Sequence, residues 1–197
     1  MMKKYDFCLM NPPYGKNANL AIEFLNKAAE HSDSIYVVMP RTIRKPVAMN
    51  RVNPYLHLVT DVTNPDDTFG GGLTTCWQHW VVKDHKRPKI ERYTKDMVSD
   101  YFEFTTKDKA DIALGRVGSS GHIMIKGAPT KGRTKGFEDR QPSTTYFIKV
   151  HDKNVIDELI ALEDKFKEAA KETVAVTSLS VDEVVRIYME NYCEFVE

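Results

Sequence analysis

The chain has 197 residues, enough for one ordinary domain with its own core or one domain with an insertion. Its 28 Lys and Arg balance its 28 Asp and Glu to a formal net charge of zero. That balance excludes a polybasic nucleic-acid coat and an acidic mimic of DNA, so any contact with nucleic acid has to be local. The three cysteines (Cys8, Cys76 and Cys193) are widely spaced with no Cys-x-x-Cys pair, which argues for free thiols in a reducing compartment and against a zinc site.

The charged opening 1–6 leads into an apolar run too short for a signal peptide, and no stretch nears the roughly 20 apolar residues of a membrane span. A cytoplasmic protein with no membrane partner is expected. The apolar run is Phe7, Cys8, Leu9 and Met10, stopped by Asn11-Pro12-Pro13-Tyr14-Gly15. It reads as a buried strand that ends abruptly at the edge of a sheet, with a polar tip. An Asn amide offers both a donor and an acceptor, the prolines leave carbonyls free of their own amides, and the aromatic ring gives a flat face for stacking. Such a tip can hold a heteroaromatic amine. An ordinary strand-ending turn uses the same residue types.

Apolar residues recur at Leu20, Phe24 and Ala28 and at Ala21, Leu25 and Ala29, one face of an amphipathic helix with Asn17 or Asn19 as N-cap. After the polar break at 31–34, the β-rich run 35–39 is stopped by Pro40, which completes a strand-helix-strand unit of α/β type. The stretch 46–53 is a weakly patterned connection with room for a short helix. Residues 56–62 and 75–82 read as strands, the second carrying Trp77 and Trp80, and between them lie a turn at 64–67 and a flexible loop at 69–72. The glycines of that loop lack the lysine and the strand-to-helix setting of a phosphate-binding motif.

The run Asn11-Pro12-Pro13-Tyr14, placed after a hydrophobic strand and before a helix, resembles the catalytic signature of the adenine-specific amino-methyltransferases of DNA. The resemblance implies that Asn11 and the Pro12 carbonyl bind the exocyclic amine of a flipped-out adenine, that Pro13 stiffens the turn and that Tyr14 stacks on the base. It also implies an α/β fold: the second half of a Rossmann-like methyltransferase sheet over 1–84, a target-recognition segment over 85–150, and a helical region over 151–197. Phe69 is then a second base-stacking residue, or else a hydrophobic plug beneath the glycine loop.

From Gly115 onward glycines alternate with Arg116, Lys126, Lys131, Arg133, Lys135 and Arg140. Close backbone approach and phosphate neutralisation make Arg116, Lys126, Lys131, Arg133 and Lys135 the DNA-binding candidates, against the alternative of a mobile, solvated loop. No hydrophobic strand of nucleotide-binding kind is evident before 115–121, which reads as a turn. Val155, Leu159, Leu162, Phe166 and Ala169 form one stripe of a single helix over 154–171. Ser180 and Glu183 make a capping box, with Leu179 and Val184 as its hydrophobic staple, that opens a last helix. No histidine shows ligand spacing, and no metal is assigned.

The family requires S-adenosyl-L-methionine, held by an acidic-aromatic-x-Gly-x-Gly loop after a first strand, and no such loop is evident in the sequence. Two functions are compatible with this. One is adenine-N6 DNA methylation within a restriction-modification system, by a chain acting on double-stranded DNA whose cofactor half comes from elsewhere. The other is a non-catalytic relative that binds DNA or a host restriction-modification enzyme. In either case 7–10 leaves an apolar sheet edge, to be covered by a second polypeptide or a second copy of the chain.

Overall fold

A computed structural model of the chain describes residues 5–66, 68–128, 136–173 and 176–193. The protein is α/β, as the strand-helix-strand grammar of its first forty residues implies. It divides into two units, Met1–Arg92 with Glu172–Ala175 and Tyr93–Lys171 with Val176–Glu197, each with its own core.

The first unit is a mixed sheet in the order β1 (Cys8–Met10), β2 (Ser34–Pro40), β4 (Thr75–Val82), β3 (Leu56–Thr63). β1 and β2 are parallel, with Leu9 opposite Tyr36, whereas β4 is antiparallel to both β2 and β3. Consequently β1, β2 and β3 all terminate at one end of the sheet. Helix α1 (Asn19–Ala28) makes the crossover from β1 to β2 and buries Ala21, Ile22 and Leu25 against Ile35, Val37, Met39, Leu56, Cys76 and Trp80. The expected stripe is therefore only half right, because Leu20 and Phe24 face solvent. The phase of the helix is set by a tight corner before it, where the small Ala18 and Ala21 are fully buried. Neither asparagine caps the helix: the cap position is Ala18, without a side-chain bond, and Asn19 is already helical.

A short helix α2 (Pro46–Met49) follows β2. The charged stretch after β4 packs onto this same unit. Arg87 Nη2 donates to the carbonyls of Met49 at 2.5 Å and Val52 at 3.1 Å, and Asn50 exchanges two hydrogen bonds with the backbone of Ile90. Within the core a polar chain is satisfied link by link: Trp80 Nε1 donates to Gln78 Oε1, and Gln78 Nε2 donates to Asp61 Oδ2, each at 3.0 Å.

In the second unit the residues expected as a loop-like recognition segment and those expected as a helical tail share one core. An antiparallel sheet runs β5 (Phe102–Thr105), β8 (Thr145–Val150), β6 (Ile112–Gly115), β7 (Ile123–Ile125) in spatial order. A hydrophobic strand thus does lead into 115–121, but the chain then turns directly into β7. The helix expected over 154–171 is two helices, α3 (Asn154–Ala161) and α4 (Glu163–Ala170), separated at Leu162, whose ψ of 0° departs from the helical value. Val155, Leu159, Leu162 and Phe166 are buried across that break, so the apolar stripe survives it. Helix α5 (Val181–Tyr192) opens with the expected box: Glu183 N donates to Ser180 Oγ at 3.3 Å, Ser180 N donates to Glu183 Oε2 at 2.8 Å, and Leu179 and Val184 are buried beside it.

Candidate functional site

The sheet end where β1, β2 and β3 terminate gathers three segments of the first unit. They are the corner 11–15, the exit of β2 through the tight turn Arg41–Arg44, and the connection 64–74 that carries Phe69. In α/β sheets, ligands bind outside the carboxyl ends of parallel strands, which makes this end the candidate site.

Asn11 and Pro13 are exposed, Pro12 is buried, and Tyr14 is half-buried with its ring against the first core. Tyr14 Oη donates to Asn11 Oδ1 across 3.4 Å, a long and exposed bond that an incoming amine can replace at little cost. Burial, with a smaller contribution from Cys76, holds the Tyr14 phenol above its ordinary pKa, so the ring is a neutral donor at physiological pH. The Tyr14 carbonyl accepts from Ala21 N at 3.3 Å, tying the corner to the first turn of α1.

Gly15 makes the corner possible. Its φ of 65° and ψ of 176° lie in a region open essentially to glycine alone, and a Cβ there would sit 2.9 Å from Leu20 Cγ and 3.1 Å from Leu20 N. Asn17 and Ala18 then also take positive φ, at 54° and 60°. Three such residues within four positions make this the most strained backbone among the described residues, and strain of that kind collects at functional corners.

Arg41, almost fully buried, fastens the far side of the site. Its Nε donates to Thr75 O at 3.2 Å, and its Nη2 donates to Asn64 O at 2.8 Å and to Asp66 Oδ1 at 2.7 Å, so one guanidinium closes the base of the β3–β4 connection. Above that base Gly70, Gly71 and Gly72 all have positive φ with open space around them, and Phe69 is 45% exposed. Phe69 therefore stands out from the core and is no plug. Arg44 is fully occupied: it grips Asp61 with two bonds of 2.7 and 3.0 Å, Glu172 with two of 3.2 and 3.3 Å, and Thr63 Oγ1 at 2.9 Å. The hydrogen bond to Asp61 drives its basicity further up. Cys76, buried below, is pushed up to about 12, chiefly by burial and then by Asp61, and remains an inert thiol.

Arg41 and Arg44 do not stand out in the sequence. The one signal for them is their place directly behind Pro40, at the end of a strand read as following the first one.

The proposed DNA-binding residues are less concentrated. Arg116 follows β6 and stands 5.4 Å from the Tyr146 ring centre, and Lys126 follows β7, its Nζ donating to Asp108 O at 2.8 Å. Because β6 and β7 are antiparallel, the two cations sit at opposite ends of that ladder. Lys131, Arg133 and Lys135 lie outside the described residues. Two glycines of the segment serve the fold itself: a Cβ on Gly115 would meet Ser119 O at 1.9 Å, and one on Gly121 would meet Lys167 N at 2.5 Å. No group of three or more His, Cys, Asp or Glu suited to a metal occurs among the described residues, and no helix there is long and apolar enough to cross a membrane. Comparison of the chain with models of known families, with curated proteins and with solved structures returns no match in any of the three.

Proposed function

We propose that the chain is the base-binding and target-recognition portion of an adenine-N6 DNA methyltransferase, the first unit corresponding to the second half of a Rossmann-like sheet. The observation that carries the reading is the exposed amide of Asn11 beside the Tyr14 ring, on a glycine-locked corner at the end of a parallel strand. In that role Asn11 Oδ1 and the Pro12 carbonyl accept the two protons of the exocyclic amine, which orients its lone pair away from the protein. Tyr14 stacks on the purine, and Phe69 approaches from the hairpin at the same sheet end. Positioning of this kind supplies much of the rate in such reactions.

The described residues do not fit S-adenosyl-L-methionine. Gly70 to Gly72 and the 115–121 turn both join antiparallel strands, and neither opens a helix whose first amides face a ligand. The cofactor therefore belongs to another polypeptide or another part of a longer one. The same observation favours a second reading, in which the corner is kept by a non-catalytic protein that binds DNA or a host restriction-modification enzyme.

Fluorescence anisotropy with short labelled duplexes tests the base-binding role. A mismatched adenine flips more easily than a paired one, so it should bind several-fold more tightly, and Tyr14→Ala should remove about 1–3 kcal/mol of stacking, roughly a tenfold loss. Equal affinity for both duplexes, or an unaffected Tyr14→Ala variant, removes base binding from the corner. Methyl transfer that persists in Asn11→Ala after the cofactor half is added would remove catalysis from it.

A further inference from the structure

The opposite face and the free edge of the first sheet meet along β1. Alternation places Tyr5, Phe7 and Leu9 on the face away from α1, and they are 59%, 60% and 69% exposed. Tyr5 prolongs the edge beyond β1, since its amide donates to His31 O at 2.8 Å and it bridges Ser32 in parallel. On the inner strands the same face continues through Tyr36, Trp77 and His79, all half-buried. Among the described residues of these strands, no Lys, Arg, Asp or Glu side chain interrupts it. The outer strand on the far side, β3, is guarded by a bulge between Leu58 and Thr60 and by the Arg44–Asp61 pair, as exposed edges usually are. The β1 edge has neither device.

We propose that this edge and face form one docking surface for a different polypeptide, which adds a strand beside β1 and lays an apolar helix face over Leu9 and Tyr36. Charge decides against single-stranded nucleic acid, which needs cations next to its stacking rings. In addition, Tyr36 and His79 stack on each other, 4.1 Å apart and 10° from parallel, so those faces are already taken. Symmetry decides against a second copy. A two-fold axis that pairs β1 with β1 stands normal to the sheet and leaves both open faces bare, whereas a face-to-face dimer leaves both edges bare. Chain handedness decides the form of the partner. α1 covers one face on the right-handed crossover from β1 to β2, so a right-handed crossover stepping the other way from β1 carries its helix over the open face. This rests on the sheet alone and holds whether or not Asn11 meets adenine.

Photo-crosslinking in the native host, from a reactive residue at Leu9, at Val62 or at Glu23 on α1, followed by reconstitution, tests the assignment. Leu9 and Val62 should capture the same foreign polypeptide while Glu23 does not. Added back to the intact chain after purification, that polypeptide should slow amide exchange at 7–10 at least tenfold. The double change Phe7→Glu with Leu9→Lys should abolish this without altering the circular dichroism of the chain. Products at twice the chain mass assign the surface to a second copy, and nucleic-acid adducts assign it to a strand. Absence of adducts at both positions, or an added polypeptide that leaves 7–10 exchanging freely, shows that no such partner docks there.

Discussion

Gly15 answers two demands at once, a backbone conformation that other residues adopt only under strain and a contact with the first turn of α1 too close for a Cβ. Gly15→Ala should therefore destabilise the protein by about 1–3 kcal/mol, read as a lower urea midpoint. Because one atom in the way is Leu20 N, relief has to move the helix start and with it the Asn11–Tyr14 contact. Cys76 gives a second test at this scale. Buried and pushed up to about 12, it carries almost no thiolate at pH 8, so a thiol-reactive dye should label Cys8 and Cys193 in the native protein and Cys76 only after unfolding. Equal labelling of all three would contradict the buried position. The same geometry explains how far the site was legible in the sequence. Asn11 and Tyr14 were legible because covalent adjacency alone brings them together, whereas Arg41 and Asp66 are 25 positions apart and meet only after β3 and β4 have paired.

At the scale of elements, the β3–β4 connection owes its base to Arg41. Arg41→Ala leaves the carbonyls of Asn64 and Thr75 short of a donor, at a cost of roughly 1–3 kcal/mol, and amides of the 64–74 connection should exchange faster while those of β1 stay unchanged. The start of α4 is pH-sensitive. Burial on its own would raise the Glu163 carboxyl, but Lys167 at 2.7 Å, the Ile123 amide at 3.2 Å and His122 at 3.1 Å outweigh it and hold the folded value below the ordinary one. A depressed carboxylate stabilises the fold above its unfolded value and ceases to do so as pH falls through the folded value. Glu163→Gln should thus lose stability near neutrality yet show a shallower decline on acidification, a difference visible in urea midpoints at pH 7 and pH 3. β2, β3 and β4 were legible because each is seven or eight residues long and bounded by turn residues. The second sheet was not. β6 is buried at all four residues and so shows no alternation, and β7 spans only three residues, too few to display a period.

For the molecule as a whole, the sequence suggested a break near residue 84 and another near 150, where its composition changes. Composition follows solvent exposure, whereas units follow cores, and the two differ here in a specific way. Asp84 to Arg92 is charged, yet Arg87 and Ile90 bind it to α2, so the first unit extends through Arg92. Around 150 the chain passes from β8 to α3 without leaving one core, since Phe102 and Ile148 of the sheet share it with Leu159, Phe166 and Tyr188 of the helices. Two cores imply two sets of amides that can be perturbed separately. Leu25→Ala empties space in the first and Phe166→Ala in the second, each at a cost of about 2–5 kcal/mol. In native-state hydrogen exchange the first change should speed the slowest amides of β2 and β4 by two orders of magnitude or more, and the second should do so for β8 and α5. If either substitution instead speeds all of these elements equally, the chain opens as one cooperative body, and the division between the cores has no energetic meaning.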